Sequence, residues 1–336
     1  MFTINKSVSV WEQLVQLPFL NLYSRLLNAA MELDVFSQLC QPVTAEALAV
    51  HMGWHKANTE YLLSALVSIG FLNKTDGTYQ NTEEVDRYLV KGKDEYLGGF
   101  LPFYMQEGMA PMDVKLLVTK GPQSQQQEAM EQQLDFASFA QRMRQAQEGY
   151  RQQELLRIVR SLPENDQIRR VLDLGGATGL LGLAVIGDRP DRTGVLFDRF
   201  PPAVVEESIS LMGLTDRTEV MCGNFMADRI GERYDLILAL NVMLFAKGRM
   251  EELLKKCYDA LNPGGVLLVI SEAILPDHTG PWDMVMGYLP YYFQGMDMGV
   301  LKNEVSDEAV RVGFTKCEKR TECLCSGTQD IDIIRK

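Results

Sequence analysis

The chain has 336 residues, enough for two domains of ordinary size, and its 46% hydrophobic and 23% charged content is that of a folded globular protein. Its 33 basic against 45 acidic side chains give a net charge of −12, which argues against a nucleic-acid footprint and against an anionic membrane surface. The longest apolar run, residues 266–275, is broken by Ser271 and Glu272 and is too short to span a bilayer, and Lys6 is not followed by a signal-peptide pattern, so a cytoplasmic protein is expected. Six cysteines are scattered without a CxxC pair, and three histidines are too few for a histidine-rich centre. No metal is expected.

In chain order, the first helix is predicted over residues 11–30. A second opens within 42–49 with Thr44 as N-cap, and a third runs over 58–69 and ends at Gly70. Residues 71–79 then read as two short strands around Asp76-Gly77. Three helices and a two-stranded wing make a winged-helix pattern over residues 1–105. Such a domain can read DNA. The helix in the recognition position, however, carries Lys56 and Glu60 and no arginine, the commonest base-reading residue. Its Leu62, Leu63, Leu66, Val67 and Ile69 call for burial. The first helix, with Leu14, Leu17, Phe19, Leu20, Leu22, Leu26 and Leu27, is too apolar all round for a lone surface helix. A second subunit would bury its other face.

Residues 106–165 read as helices linking two halves, with glutamine-rich 123–133 as a solvated helix or loop. Phe103 precedes this stretch, and Phe139 and Met143 recur within it at helical spacing; such a stripe suits a core or the wall of a pocket. From residue 166 to 336 the pattern alternates. Strands are predicted at 171–174, 194–197, 219–222, 236–239, 266–271, 314–319 and 330–334, with a helix at 306–312. Another helix begins near Arg249, with Asn262-Pro263-Gly264-Gly265 closing it. Alternation of this kind implies an α/β fold, a doubly wound Rossmann-like seven-stranded sheet whose ligand sits at the carboxyl ends of the strands.

Residues 171–179 read as a buried strand running into a glycine turn and a helix. Asp173 lies in that strand, and its burial needs a partner, either a ligand or the amides of the turn. Asp198 ends the second strand, 19 residues beyond Gly179, where an acid can accept the hydroxyls of a ribose. Asn224 and Phe225 follow the third strand and Asn241 the fourth. Ala177 stands where the second glycine of a dinucleotide fingerprint would fall, and the spacing of Gly175, Gly176 and Gly179 fits that fingerprint poorly.

Residues 172–179, 197–201, 223–225, 256–265 and 272–276 together resemble the class I S-adenosylmethionine-dependent methyltransferases. With the winged-helix front end, the whole chain resembles the small-molecule O-methyltransferases of the caffeate, hydroxyindole and polyketide type. The resemblance implies S-adenosylmethionine as cofactor, held by Asp173, Gly175, Gly176, Gly179, Asp198, Arg199, Asn224, Phe225 and Asn241. It implies a homodimer formed through the N-terminal domain. It also implies a small-molecule acceptor in a pocket walled by the linker helices and residues 281–293, with Phe103, Phe139, Met143, Met243, Leu244, Trp282, Met286 and Tyr291 as candidates.

The departures are specific. The family's histidine base would fall at Leu244, which takes no proton, and the aspartate of its G-D-x-F stretch is Asn224. Glu272, 28 positions after Leu244, is the candidate replacement base, with His278 and the tyrosines of 288–292 as alternatives. Loss of the histidine leaves open a protein that binds the cofactor without transferring methyl. The winged-helix pattern leaves open a ligand-sensing regulator.

Overall fold

A computed structural model describes residues 9–108, 112–122 and 136–336; the glutamine-rich stretch expected at 123–133 lies outside them. The chain divides into two compact units, Met1–Met109 and Ala110–Lys336.

The first unit begins with helix α1 (Val10–Glu32), closed at its start by a capping box between Ser9 and Glu12. Helix α2 (Ala45–Met52) is capped by Thr44, whose hydroxyl accepts the Ala47 amide at 3.2 Å. Helix α3 (Lys56–Ser68) buries Leu63 and Leu66 completely against Phe36, Leu48 and Tyr79, with Leu62, Val67 and Ile69 partly buried around them. Strand β1 (Val43–Thr44) joins β2 (Leu72–Thr75) and β3 (Thr78–Asn81) in an antiparallel sheet of order β1-β3-β2. Asp76 and Gly77 both take positive φ in the β2–β3 turn, the geometry that favours this dipeptide in two-residue hairpins. The two-residue β1 was not expected, because so short a strand leaves no alternation to read. Helices α4 (Glu83–Leu89) and α5 (Phe100–Gly108) complete the unit. Along α1, Trp11, Leu14, Leu17, Phe19 and Leu22 are all more than half exposed, apolar side chains that the described residues do not cover.

The second unit opens with helices α6 (Val114–Lys120), α7 (Phe136–Gln147) and α8 (Tyr150–Arg160). A βα alternation follows: β4 (Arg170–Leu174), α9 (Leu180–Gly187), β5 (Thr193–Asp198), α10 (Pro202–Leu211), β6 (Thr218–Cys222), β7 (Tyr234–Leu240), α11 (Met250–Ala260) and β8 (Leu261–Glu272). Helices α12 (Trp282–Phe293) and α13 (Glu304–Val312) lead to the terminal hairpin β9 (Lys316–Leu324) and β10 (Gly327–Arg335). The seven strands order as β6-β5-β4-β7-β8-β10-β9, parallel except where β10 runs against β8 and β9. One face of the sheet packs Val171, Leu236, Leu268 and Ile331 under Ile158 and Leu183. The other packs Leu172, Ile237, Val269 and Ile334 under Leu254. Chain order reverses between β4 and β7, which opens the crevice where doubly wound sheets bind ligands.

Two expectations need correction. Helix α11 is not closed by the Pro263-Gly264-Gly265 turn. Its cap is extended Leu261, and residues 262–265 belong to β8, where they carry an irregularity between the Tyr234–Leu261 and Leu236–Val266 pairs. Gly264, at φ +76, relieves the backbone there. The final strands are longer than predicted because charged Lys316, Glu318, Arg320 and Glu322 alternate along an edge strand and mask its apolar content.

Arg192 fastens α9 to the strand that follows it. Fully buried, it donates to the Val185 carbonyl at 3.0 Å, to the Asn165 carbonyl at 2.8 Å and to Asn165 Oδ1 at 2.7 Å, and it faces Asp188 at 3.5 Å. Arg192→Met strands three acceptors, while Asp188 keeps its pairing with Arg160. It is expected to cost roughly 3–5 kcal/mol, read as a lower urea midpoint with an unchanged slope.

Candidate active site

Strand β4 carries Asp173 on the same face as Val171, because side chains alternate along a strand. That face is covered by α9, and Asp173 Oδ2 accepts the Gly182 amide from it at 3.0 Å. The carboxyl is 1% exposed. Burial pushes its pKa up to about 7; the Gly182 amide opposes the rise and the negative charge of Asp198 adds to it. Neither of the two partners expected from the sequence is the one realised within the protein: the donor is an amide one turn into α9, not an amide of the glycine turn. Gly176 and Gly182 make the room, since a Cβ on either would overlap the Asp173 carboxylate.

The turn itself is left-handed at Gly175, Ala177 and Gly179. Ala177 accepts a cost of about 1 kcal/mol for that conformation, and its amide thereby donates to Asp198 Oδ2 at 2.8 Å. Asp198 Oδ1 accepts the Phe200 amide at 3.0 Å. Each oxygen retains a lone pair for a further donor. The turn is also clamped from behind. Buried Gln147 donates to the Gly176 carbonyl at 2.9 Å and accepts the Thr178 hydroxyl at 2.6 Å, and Gln152 donates to the Leu180 carbonyl at 3.3 Å.

Past β6, Asn224 closes a tight turn: its Oδ1 accepts the Met226 amide at 3.0 Å and its own amide donates to Asp228 at 2.8 Å. Phe225 is buried beside Gly175 on the sheet face of Phe197. Past β7, Asn241 takes φ +54 and donates its amide to the Ile270 carbonyl of β8 at 2.8 Å. Strand β8 ends at Glu272, 2% exposed, whose Oε1 accepts the Tyr288 hydroxyl at 2.5 Å. Its Oε2 is buried without a hydrogen-bond partner among the described residues. Burial raises its pKa, and the Tyr288 hydrogen bond opposes the rise.

An acid beneath a glycine turn, a second acid beside it and a reversal of strand order place a nucleotide-type site at the edge formed by β4, β5 and β7. Residues 122–302, over half the chain, match the O-methyltransferase domain, and residues 15–91 match the O-methyltransferase dimerisation domain. The chain belongs to the O-methyltransferase family. This O-methyltransferase is an S-adenosylmethionine-dependent enzyme. It is 26% identical to the 3-hydroxy-5-methyl-1-naphthoate 3-O-methyltransferase of Streptomyces sahachiroi, over 77% of this chain and 76% of that protein. It is also 26% identical to the bacteriochlorophyllide d C-20 methyltransferase of Chlorobaculum tepidum, over 92% and 89%. The fold matches human N-acetylserotonin methyltransferase in complex with S-adenosylmethionine with a TM-score of 0.70 at 21% identity, covering 99% of both chains. Neither a regulatory nor a non-methylating role draws support from these relationships.

The residues of this O-methyltransferase fit its cofactor. The turn lacks side chains at 175 and 176, and Asp198 presents lone pairs at the strand end. The expected acceptor residues are less uniform. Met243 is fully buried in the apolar core under Leu254 and offers no surface to a ligand. Leu244 is half-buried on the short helix Met243–Ala246, and Met143 is half-buried against the other face of the sheet. On α12, Trp282 and Met286 are exposed and Tyr291 is half-buried. Phe103 lies half-buried on α5 in the first unit, and the side chain of Phe139 is outside the described residues. His278 is exposed, at φ +56, with its ring edge-on to Tyr292 at 5.3 Å; Arg199 is exposed beside Asp198. Gln147 was missed, because a lone glutamine at the end of a polar helix carries no periodic or motif signal.

Asp173→Asn keeps an acceptor for the Gly182 amide and removes the titration. The folded protein holds the Asp173 proton up to about pH 7, whereas the unfolded chain releases it near 3.8. The stability this contributes is therefore full below about pH 4 and is lost as pH rises through 7. Between pH 4 and 8 the wild type should lose on the order of 4 kcal/mol relative to D173N, read from paired urea unfolding curves. An identical pH dependence in the two proteins would count against it.

Proposed function

We propose that this enzyme methylates a hydroxyl-bearing, largely aromatic small molecule. The observation that carries the reading is an acid-flanked glycine turn in the same unit as α12, an aromatic and methionine-rich helix with exposed Trp282 and Met286 that sets Tyr288, with Tyr291 beside it, on the buried carboxyl at the end of β8. Aromatic and thioether side chains suit a flat apolar acceptor. A relative that acts on a naphthoate supports the same class.

Asp198 would take the ribose hydroxyls and Gly175, Gly176 and Gly179 the backbone approach, with Asp173 supporting the turn from below. Arg199, Asn224 and Phe225 would flank the base, and Asn241 the amino-acid end. When bound, the cofactor supplies an electrophilic methyl on a sulfonium. The chain's own residues then have two tasks: to hold the acceptor oxygen in line and to dispose of its proton. Leu244 performs neither step of proton handling, so the proton is assigned to the Glu272 side of the site. Exposed His278 is the lesser candidate. The first unit, read as a winged-helix dimerisation domain, would pair two copies through the apolar face of α1, and the assembly is placed in the cytoplasm.

Titration with S-adenosylmethionine should show saturable binding. Asp198→Ala, which removes the ribose acceptor and strands the Ala177 and Phe200 amides, should weaken it by at least about tenfold. S-adenosylhomocysteine should form with phenolic polycycles; binding with no product across phenols, thiols and amines would sink the methylating role. Leu17→Glu combined with Leu22→Glu should convert a dimer into a folded monomer in light scattering. Persistence of the dimer would exclude α1 as the interface.

A further inference from the structure

Glu272 is the obvious carboxylate to take the acceptor's proton, yet it is 2% exposed and an acceptor in solution-accessible space cannot reach it. The group in front of it is Tyr288. This tyrosine is half-buried, stands on α12 and donates to Glu272 Oε1 at 2.5 Å, the short range of hydrogen bonds to a carboxylate. Around it lie Tyr291 and Tyr292, with ring centroids 5.9 and 6.4 Å away. Glu272 closes the strand next to β7, two residues beyond the Leu240–Ile270 pair, so the dyad stands at the same sheet edge as Asn241.

Resting on the reading of this chain as a methyltransferase for hydroxyl acceptors, we propose that Tyr288 is the residue that touches the acceptor hydroxyl, and that Glu272 acts through it as the proton sink. The acceptor O–H bond breaks as a new O–H bond forms on Tyr288 Oη. In the same movement the original Tyr288 proton passes to Glu272 Oε1. The acceptor oxygen keeps its electron pair and becomes the nucleophile. Tyr288 is unchanged, and Glu272 ends neutral until it gives the proton to water as product leaves. Burial favours that neutral form, so the sink is matched to a phenol better than a solvated carboxylate would be. The arrangement does the work of the histidine that Leu244 replaces, from the neighbouring strand.

The test uses Tyr288→Phe, Glu272→Gln and the double variant, with a series of phenols of graded acidity. Cofactor affinity should stay within about threefold in all three. For weakly acidic phenols kcat should fall on the order of 10²-fold with KM little changed, and the loss should shrink toward zero for 4-nitrophenol, which needs no base. The double variant should be no slower than the worse single one, because the two residues act as a unit. A second readout needs no turnover. With S-adenosylhomocysteine bound, wild type should hold 4-nitrophenol as its yellow phenolate at a pH below that phenol's own pKa, and both single variants should lose the band. Equal rate loss across the phenol series, or a phenolate band that survives Y288F, overturns the dyad while leaving the methyltransferase reading intact. Failure of wild type to bind S-adenosylmethionine removes both.

Discussion

The site depends on where a buried negative charge can be put. Asp173 sits in the middle of a parallel sheet, under a helix, where an unpaired carboxylate would cost several kcal/mol. Two glycines, 176 and 182, are empty so that it can lie there, and one amide of α9 meets it. The rest of the turn follows from this. Because the turn closes over the acid, its amide at residue 177 is aimed sideways at Asp198, and the two strand ends become a single electrostatic unit. Asp198 raises the pKa of Asp173. A ligand carrying positive charge near this edge relieves that repulsion, so the protein alone is the less comfortable state of the pair.

A second layer ties the turn to helices that precede the sheet in the chain. Gln147 reaches the turn at both a carbonyl and a hydroxyl, and Arg144, one helical turn earlier, holds α10 through the Val204 carbonyl and Glu207. Met143 packs against the same sheet face from the same helix. A side chain that packs on the sheet core and side chains that brace the glycine turn thus share one helix. Substitutions on α7 would be felt at both the core and the turn.

The parts legible in the sequence were those with a local cause. Strand β4, the glycine turn and Asp198 combine an apolar run, missing side chains and an acid at a fixed spacing, each visible without tertiary context. The Asp76-Gly77 hairpin and the Thr44 cap are of the same kind. What escaped depends on contacts distant in sequence. Gln147 lies 29 residues from the Gly176 carbonyl that it binds. Met243 has a side chain suited to a pocket, yet the core under Leu254 claims it. Residues 262–265 have the composition of a helix terminator, but pairing of Leu261 and Val266 with β7 on either side holds them within the strand, where a register shift absorbs the extra length. Composition specifies which residues are available, whereas the sheet decides which face each one shows.

Proton handling illustrates the same division at the level of chemistry. A base on the short helix Met243–Ala246 would have to project from a segment whose first residue is locked in the core and whose second packs against it. Leu244 packs that segment against the core. The carboxyl and phenol at Glu272 and Tyr288 come from a strand end and a separate helix, so no sequence motif joins them; they are 16 residues apart and meet only once α12 has packed. A carboxyl this deeply buried is costly to ionise, and a phenol in front of it is a poor base by itself. Together each corrects the other's defect: the phenol hydrogen bond makes the buried charge affordable, and the buried charge gives the phenol somewhere to send a proton. That mutual dependence explains why the two sit at hydrogen-bond distance in a region otherwise lined with aromatic and apolar side chains.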